Sequence, residues 1–200
     1  MRENEGRQDS QGQETDEQLM AAFARGSTDA FNTLFVRYKQ PLFGFFWRRI
    51  ADRSQAEELT QETFLALFKA QGRYEATALF RTYLYAIAMK ILRTYRRKAT
   101  FRAMFWGAPS QDKEPAARME IDAEIALREA VGKLDRVARE ILMLREYEEL
   151  SYVEIAALLR IPVNTVRSRL FRARMALREM LAAPAAGAGQ REFSKMEGRA

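Results

Sequence analysis

The stretch from Leu150 to Ala176, LSYVEIAALLRIPVNTVRSRLFRARMA, leaves the chain fewer ways to fold than any other part of it. Ser151 is followed three residues later by Glu154. That spacing is a capping box, in which hydroxyl and carboxylate each satisfy an amide of the first helical turn. A helix is therefore predicted from Tyr152, with Ile155, Ala156 and Leu159 facing inward and the small Ala156 letting a second helix cross closely. Pro162 cannot continue that helix but suits the first turn of the next, so the joint is predicted at Arg160 to Pro162. Two helices meeting at one abrupt joint form a helix-turn-helix. In the second helix Val166 and Leu170 anchor the inner side, while Thr165, Arg167, Ser168, Arg169, Phe171, Arg172 and Arg174 spread around the remainder.

Charge narrows the purpose of that second helix. Between Ile155 and Arg178 stand Arg160, Arg167, Arg169, Arg172, Arg174 and Arg178, and no acidic residue. The segment thus carries no counter-ions of its own, and these are expected from solvent or a partner. DNA phosphate is the obvious supplier. The planar arginine fork can pair bidentately with phosphate oxygens or with a guanine edge. A merely solvated face accounts for the charge, but not for its one-sidedness beside a helix-turn-helix joint.

With 200 residues and 48% hydrophobic content, the chain can build real cores in one or two domains. Cysteine and histidine are both absent. That excludes disulfides and removes the usual zinc ligands and the usual neutral-pH proton shuttle. The sequence shows no glycine-rich phosphate loop and no acids at metal-binding spacing, so neither an enzyme nor a cofactor is expected. A net charge of +6 permits a polyanionic partner without demanding one. The opening residues, MRENEGRQDSQGQETDEQ, lack an apolar signal region, and no run approaches a membrane span. A cytoplasmic protein with no membrane insertion is expected.

The periodicity predicts an all-α chain of two small helical domains joined by a flexible linker, the second domain holding the helix-turn-helix. Residues 1–14 are rich in Gln, Glu and Gly and are expected to be a disordered tail. The first domain is assigned to 15–98. Asp16 is expected to cap a short helix carrying Leu19, Met20 and Phe23, and Ser27 or Thr28 opens a longer one with Phe31, Leu34, Phe35 and Tyr38 inward. Pro41 predicts a kink or break in that helix. A helix from Asp52 or Ser54 to about Ala70 places Leu59, Thr63, Phe64, Leu67 and Phe68 inside and Glu57, Glu58, Gln61, Glu62 and Leu65 outside. The next, capped by Thr77, runs from Leu79 to about Lys98. It buries Phe80, Leu84, Ile87, Ala88 and Ile91, and leaves Tyr83, Tyr85, Lys90, Arg93, Arg96, Arg97 and Lys98 outside. Aromatic rings interleaved with cations suit single-stranded or distorted DNA, because cations follow phosphates while rings face unstacked bases. Aromatics in a core and basic residues complementing a helix C-terminus give the same pattern without any ligand.

From Ala99 the helical pattern dissolves into ATFRAMFWGAPSQDKEPAARM, read as a linker over 99–120. The second domain is assigned to 121–181. One helix there runs from Ile121 to Leu134 with Ile125, Val131 and Leu134 inward. Another, capped by Asp135, runs from Arg136 to Tyr147 with Ile141, Leu142 and Leu144 inward. Residues 182–200 are expected to be a loose tail.

Two separated parts of the chain agree on one family. LSYVEIAALL, IPVNTVRSRLFRAR and LREAVGKL closely resemble the fourth conserved region of the extracytoplasmic-function (ECF) sigma factors of bacterial RNA polymerase. AFNTLFVRY, AEELTQETFLALF and FRTYLYAIA resemble their second region. The resemblance runs from about Asp16 to Leu181 apart from the linker, in the family's order. It implies a promoter-specificity subunit whose partners are core RNA polymerase, through the largest-subunit coiled-coil and the flap region, promoter DNA, and an anti-sigma protein. By the same resemblance Glu58, Gln61, Glu62 and Leu65 dock on the coiled-coil. Tyr74, Tyr83, Lys90, Arg93, Arg96 and Arg97, with the loop from Gln71 to Thr77, read and open the downstream promoter element. Arg167, Ser168, Phe171 and Arg172, with Thr165 beside them, approach the bases of the upstream element, and Arg169 and Arg174 its phosphates.

The chain departs from the family's pattern at a few positions. Tyr83 stands where tryptophan is usual, and Lys90 and Thr94 where asparagine and aspartate are. Asp135 replaces a common proline and Arg160 a common turn glycine, the latter at a cost of about 1 kcal/mol if the turn is left-handed. The competing reading is a stand-alone helix-turn-helix regulator with an N-terminal sensor domain. It would leave the acidic face of the 54–68 helix without a partner.

Overall fold

The computed structural model describes residues 14–71, 74, 79–106 and 122–182. Every regular element among them is a helix, and the chain divides into two compact units at Pro115 and Ala116. The expectations for both tails, for 107–121 and for Thr77 as a cap lie outside the described residues, as do those for the side chains of Phe105, Trp106 and Ile125.

The first unit holds α1 (Asp16–Ala24), α2 (Thr28–Ile50), α3 (Arg53–Lys69) and α4 (Phe80–Trp106). The cap of α1 is Thr15 rather than the expected Asp16. The Thr15 hydroxyl accepts from the Gln18 amide at 3.2 Å while the Gln18 side chain accepts from Thr15 N–H at 2.8 Å. Asp16 is engaged elsewhere: its carboxylate takes Arg37 at 2.7 Å and the hydroxyl of Tyr38, tying α1 to α2. Gly26, at φ 102°, makes the turn into α2, a backbone angle that glycine adopts without a Cβ penalty.

Pro41 does not break α2, which is one element from Thr28 to Ile50. The proline is exposed, and Leu34 before it and Leu42, Phe45 and Phe46 after it are all buried, so both halves are held to one core. Burial of several large side chains, about 1.5–3 kcal/mol each, outweighs the roughly 3 kcal/mol of an interior proline. Asp52 caps α3, accepting from the Gln55 amide at 2.9 Å. Two hydroxyls buried in α3, Thr60 and Thr63, donate to the carbonyls of Ala56 and Leu59 at 2.7 and 2.8 Å, so neither is an unsatisfied polar group.

Further expectations in this unit are corrected. The helix expected to end near Lys98 continues to Trp106, because ATFRAMFW contains neither glycine nor proline and the first such residue is Gly107. Tyr85, expected outside, is 2% exposed, with its ring 5.4 Å from that of Phe45. Phe68, expected inside, is 49% exposed and covers the edges of Phe23 and Phe31, each at 5.5 Å.

The second unit holds α5 (Asp122–Lys133), α6 (Arg136–Glu146), α7 (Tyr152–Leu159) and α8 (Val163–Ala182). Leu134, Ile141, Leu144, Leu150, Ile155, Val166 and Leu170 form its core. Asp135 caps α6 as expected, accepting from Val137 and Ala138 amides at 2.9 and 3.0 Å. Arg139 then reaches back to the carbonyls of Val131, Gly132 and Leu134, closing the open end of α5. In α7 the buried pair is Ile155 and Leu158, three apart, while Leu159, expected inside, is half-buried.

Candidate nucleic-acid interface

The joint between α7 and α8 fixes the angle at which the arginine-rich helix is presented. The capping box at its start is formed, with the Ser151 hydroxyl accepting from Glu154 N–H at 3.2 Å and the Glu154 carboxylate from Ser151 N–H at 2.8 Å. At its end Arg160 is left-handed, φ 56° and ψ 49°. Arg160 N–H reaches the Ala157 carbonyl at 3.3 Å, and Ile161 N–H the Ala156 carbonyl at 3.0 Å. This is the Schellman closure that usually employs glycine, achieved here with an arginine at about 1 kcal/mol of backbone cost. Pro162 sits one residue before α8, not within its first turn. Its carbonyl accepts from Thr165 and Val166 at 2.9 and 3.2 Å.

Within α8, Val166, Leu170 and Ala173 are buried, which turns the opposite side outward. Asn164, Arg167, Ser168, Phe171 and Arg172 together line one shallow, solvent-open groove. Phe171 is 66% exposed there, a large apolar ring kept in water by the packing of the rest of the helix. Arg172 is steadied by a 3.3 Å bond from its Nε to the Ser168 carbonyl. Of the residues singled out in sequence, Arg167, Ser168, Phe171 and Arg172 share this face, and Thr165 is half-buried at its edge. Asn164 was missed, although its spacing of three, four, seven and eight to those residues places it on the same side.

Arg169 and Arg174 behave differently, and they correct the expectation that the segment's counter-ions come from solvent or a partner. Arg174 donates from Nε and Nη2 to Oε1 of Glu146 at 3.2 and 2.6 Å, and this bond raises its pKa above the ordinary guanidinium value. Arg169 lies 3.4 Å from the Asp135 carboxylate. Asp135 is held below the usual carboxylate range, first by the Ala138 amide, then by that of Val137 and by the charges of Arg169 and Arg172. Both acids come from outside the segment whose charge was counted.

The first unit carries two further surfaces. On α4, Tyr83, Lys90 and Arg97 repeat every seven residues and share one side, with Arg93 beside them. Lys90, Arg93 and Arg97 are exposed and Tyr83 is half-buried. Arg96 lies off that line and is half-buried. Tyr74 joins the surface from outside the helix, its ring 5.2 Å from Tyr83 and 6.4 Å from Phe80. Burial, then the charges of Glu17 and Tyr83, raise the Tyr74 phenol above its ordinary pKa. On α3, Glu58, Gln61, Glu62 and Leu65 are all exposed at spacings that share one face. Leu65 is 60% exposed, and Phe68, three residues on, extends its apolar strip. No group of three or more potential metal ligands occurs among the described residues. No helix among them is long and apolar enough to cross a membrane.

Comparison with known proteins places these surfaces in a family. Residues 34–102 match Sigma-70 region 2, and residues 124–177 match Sigma-70, region 4. The RNA polymerase sigma-H factor of Pseudomonas aeruginosa is 31% identical over 183 residues, 84% of this chain and 95% of that protein. The ECF RNA polymerase sigma-E factor of Escherichia coli K12 is 30% identical over 182 residues, 82% of this chain and 92% of that one. Among solved structures, CnrH in complex with the cytosolic domain of CnrY superposes with a TM-score of 0.66 at 25% identity, covering 86% of this chain and all of CnrH. With two sigma-70 regions in order, full-length relatives of both names and an all-helical fold in common, the chain belongs to the extracytoplasmic-function family of RNA polymerase sigma factors.

Proposed function

We propose that this sigma factor docks on core RNA polymerase through Glu58, Gln61, Glu62 and Leu65 of α3 and opens the downstream promoter element with Tyr74, Tyr83, Lys90, Arg93, Arg96 and Arg97. In the same reading α8 enters the major groove of the upstream element, with Arg167, Ser168, Phe171 and Arg172 at base edges and Thr165 alongside. The first role belongs to the unit built of α1 to α4 and the second to the unit built of α5 to α8. The protein performs no covalent chemistry, needs no cofactor and acts in the cytoplasm. Unstacking each base step costs a few kcal/mol, which pocketed bases and phosphate contacts offset once the polymerase holds both surfaces to the DNA. An anti-sigma partner is part of the same reading; the structural neighbour CnrH is itself held in complex with the cytosolic domain of another protein, CnrY.

The observation that carries this proposal is the open face of α8. Val166, Leu170 and Ala173 are committed to the core, and the face turned outward bears Asn164, Arg167, Ser168, Arg172 and the exposed ring of Phe171. Reconstitution with core RNA polymerase followed by run-off transcription tests it. The expected result is a stable complex that initiates at promoters the core enzyme alone ignores. Leu65→Asp should weaken that complex at least about tenfold, as burying a charge at an interface centre does. A polymerase that initiates identically with and without the chain ends the proposal. Tight binding to duplex promoter without polymerase, unaffected by Leu65→Asp, would favour the stand-alone regulator.

Arg169 and Arg174, assigned to phosphates, are held by Asp135 and Glu146, which compete with DNA for them. Glu146→Gln should therefore raise affinity for promoter DNA several-fold at low salt. It should also steepen the slope of log K against log salt by about 0.9, one additional phosphate contact. An unchanged slope would show that Arg174 stays a tie between α6 and α8.

A further inference from the structure

The face of α4 that bears Tyr83, Lys90 and Arg97 is useful only if its first turn points in a set direction, and that turn is held from another helix. The leading amides of an α-helix find no acceptor within it. At the start of α4, Phe80 N–H donates to Oε1 of Glu17, sixty-three residues earlier on α1, at 3.0 Å. The same carboxylate acts by charge on the Tyr74 phenol, and the Tyr74 ring rests against both Phe80 and Tyr83. Just past the end of α3, the Gln71 side-chain amide donates to the Phe23 carbonyl of α1. Phe80 is itself fully buried, its ring 5.4 Å from Tyr38, whose hydroxyl donates to Asp16, the neighbour of Glu17. Helix α1 thus grips the chain on both sides of Tyr74, at Gln71 and at Phe80.

We infer that Glu17 is a positioning residue for promoter opening: by accepting the Phe80 amide beside Tyr74, it sets the pose of the aromatic surface that captures unstacked bases. It acts through Phe80 and Tyr74 and not by touching DNA. A carboxylate near DNA would otherwise be a liability, since it repels phosphate. Here its negative charge is spent on the positive end of α4, where an anion is favoured. The inference rests on the reading of α4 as the opening surface. The core of the unit does not depend on it, because Leu19, Met20 and Phe23 anchor α1 independently.

The test uses holoenzyme assembled from core polymerase and the full chain, on a transcribed promoter carrying 2-aminopurine in the downstream element. Three proteins are compared: unaltered, Glu17→Ala and Glu17→Gln. Glutamine keeps an oxygen acceptor for Phe80 N–H, and alanine removes it. Glu17→Ala should assemble with core and bind the closed promoter like the unaltered protein, yet open it roughly five- to tenfold more slowly, the scale of losing one helix cap. Glu17→Gln should restore most of that rate. Equal opening rates for the unaltered protein and Glu17→Ala overturn the inference, and so does equal impairment of Glu17→Ala and Glu17→Gln. Loss of core binding by Glu17→Ala also overturns it, because the residue then serves the unit's stability. Failure of the unaltered protein to open any promoter overturns both the inference and the reading beneath it, which separates the two failures.

Discussion

Arg172→Ala should weaken promoter binding by about 1–3 kcal/mol, and the loss should fall unevenly across promoter sequences. The side chain is exposed on the same groove as Arg167, Ser168 and Phe171, and its Nε is already steadied by the Ser168 carbonyl. A pre-oriented guanidinium loses little further freedom on binding, so most of a bidentate contact to a guanine edge survives as net affinity. Arg172 also differs from Arg169 and Arg174 in its relation to the nearby acid: Asp135 feels its charge through space, while Arg169 holds the closer contact at 3.4 Å. Competition binding against a randomised upstream element measures both parts of the expectation. A loss of equal size at every sequence, together with a salt slope shallower by about 0.9, would make Arg172 a phosphate contact.

Phe45→Ala should destabilise the first unit by about 3–5 kcal/mol, the range for emptying a buried aromatic site. Phe45 is fully buried, meets Phe46 at 5.1 Å and Tyr85 at 5.4 Å, and carries the Arg49 guanidinium 3.8 Å above its ring. It therefore joins α2 to α4, and removing it empties the seat on which α4 rests. Against a typical domain stability of about 5–15 kcal/mol, such a loss brings the unit close to unfolding. Urea denaturation followed by circular dichroism should show an early transition, and assembly with core polymerase should fail at temperatures the unaltered protein tolerates. A shift below about 1 kcal/mol would mean that the surrounding rings collapse into the space, and the cross-helix seat would then be less specific than its geometry indicates.

Much of the second unit was legible because its signals are local. The capping box at Ser151 and Glu154, the joint at Arg160 and the cap at Asp135 each involve residues no more than five apart, so a short window of sequence contains the whole interaction. The same holds for the faces of α8 and α3, where spacing alone brings Arg167, Ser168, Phe171 and Arg172 together and lines up Glu58, Gln61, Glu62 and Leu65. The extension of α4 to Trp106 was also readable, since nothing before Gly107 stops a helix.

What the sequence by itself determined is thus the set of helices, most of their caps and the side of each on which a function can sit. Only the tertiary structure decided which exposed candidates are free. It buried Tyr85 and left Phe68 in water, carried α2 through Pro41, paired Arg174 with Glu146 and Arg169 with Asp135, and brought Glu17 to the start of α4. The reason is range. A helical turn is closed by atoms a few residues away, whereas burial and ion pairing depend on which distant element arrives to cover a side chain, and no periodicity within one helix records its neighbour.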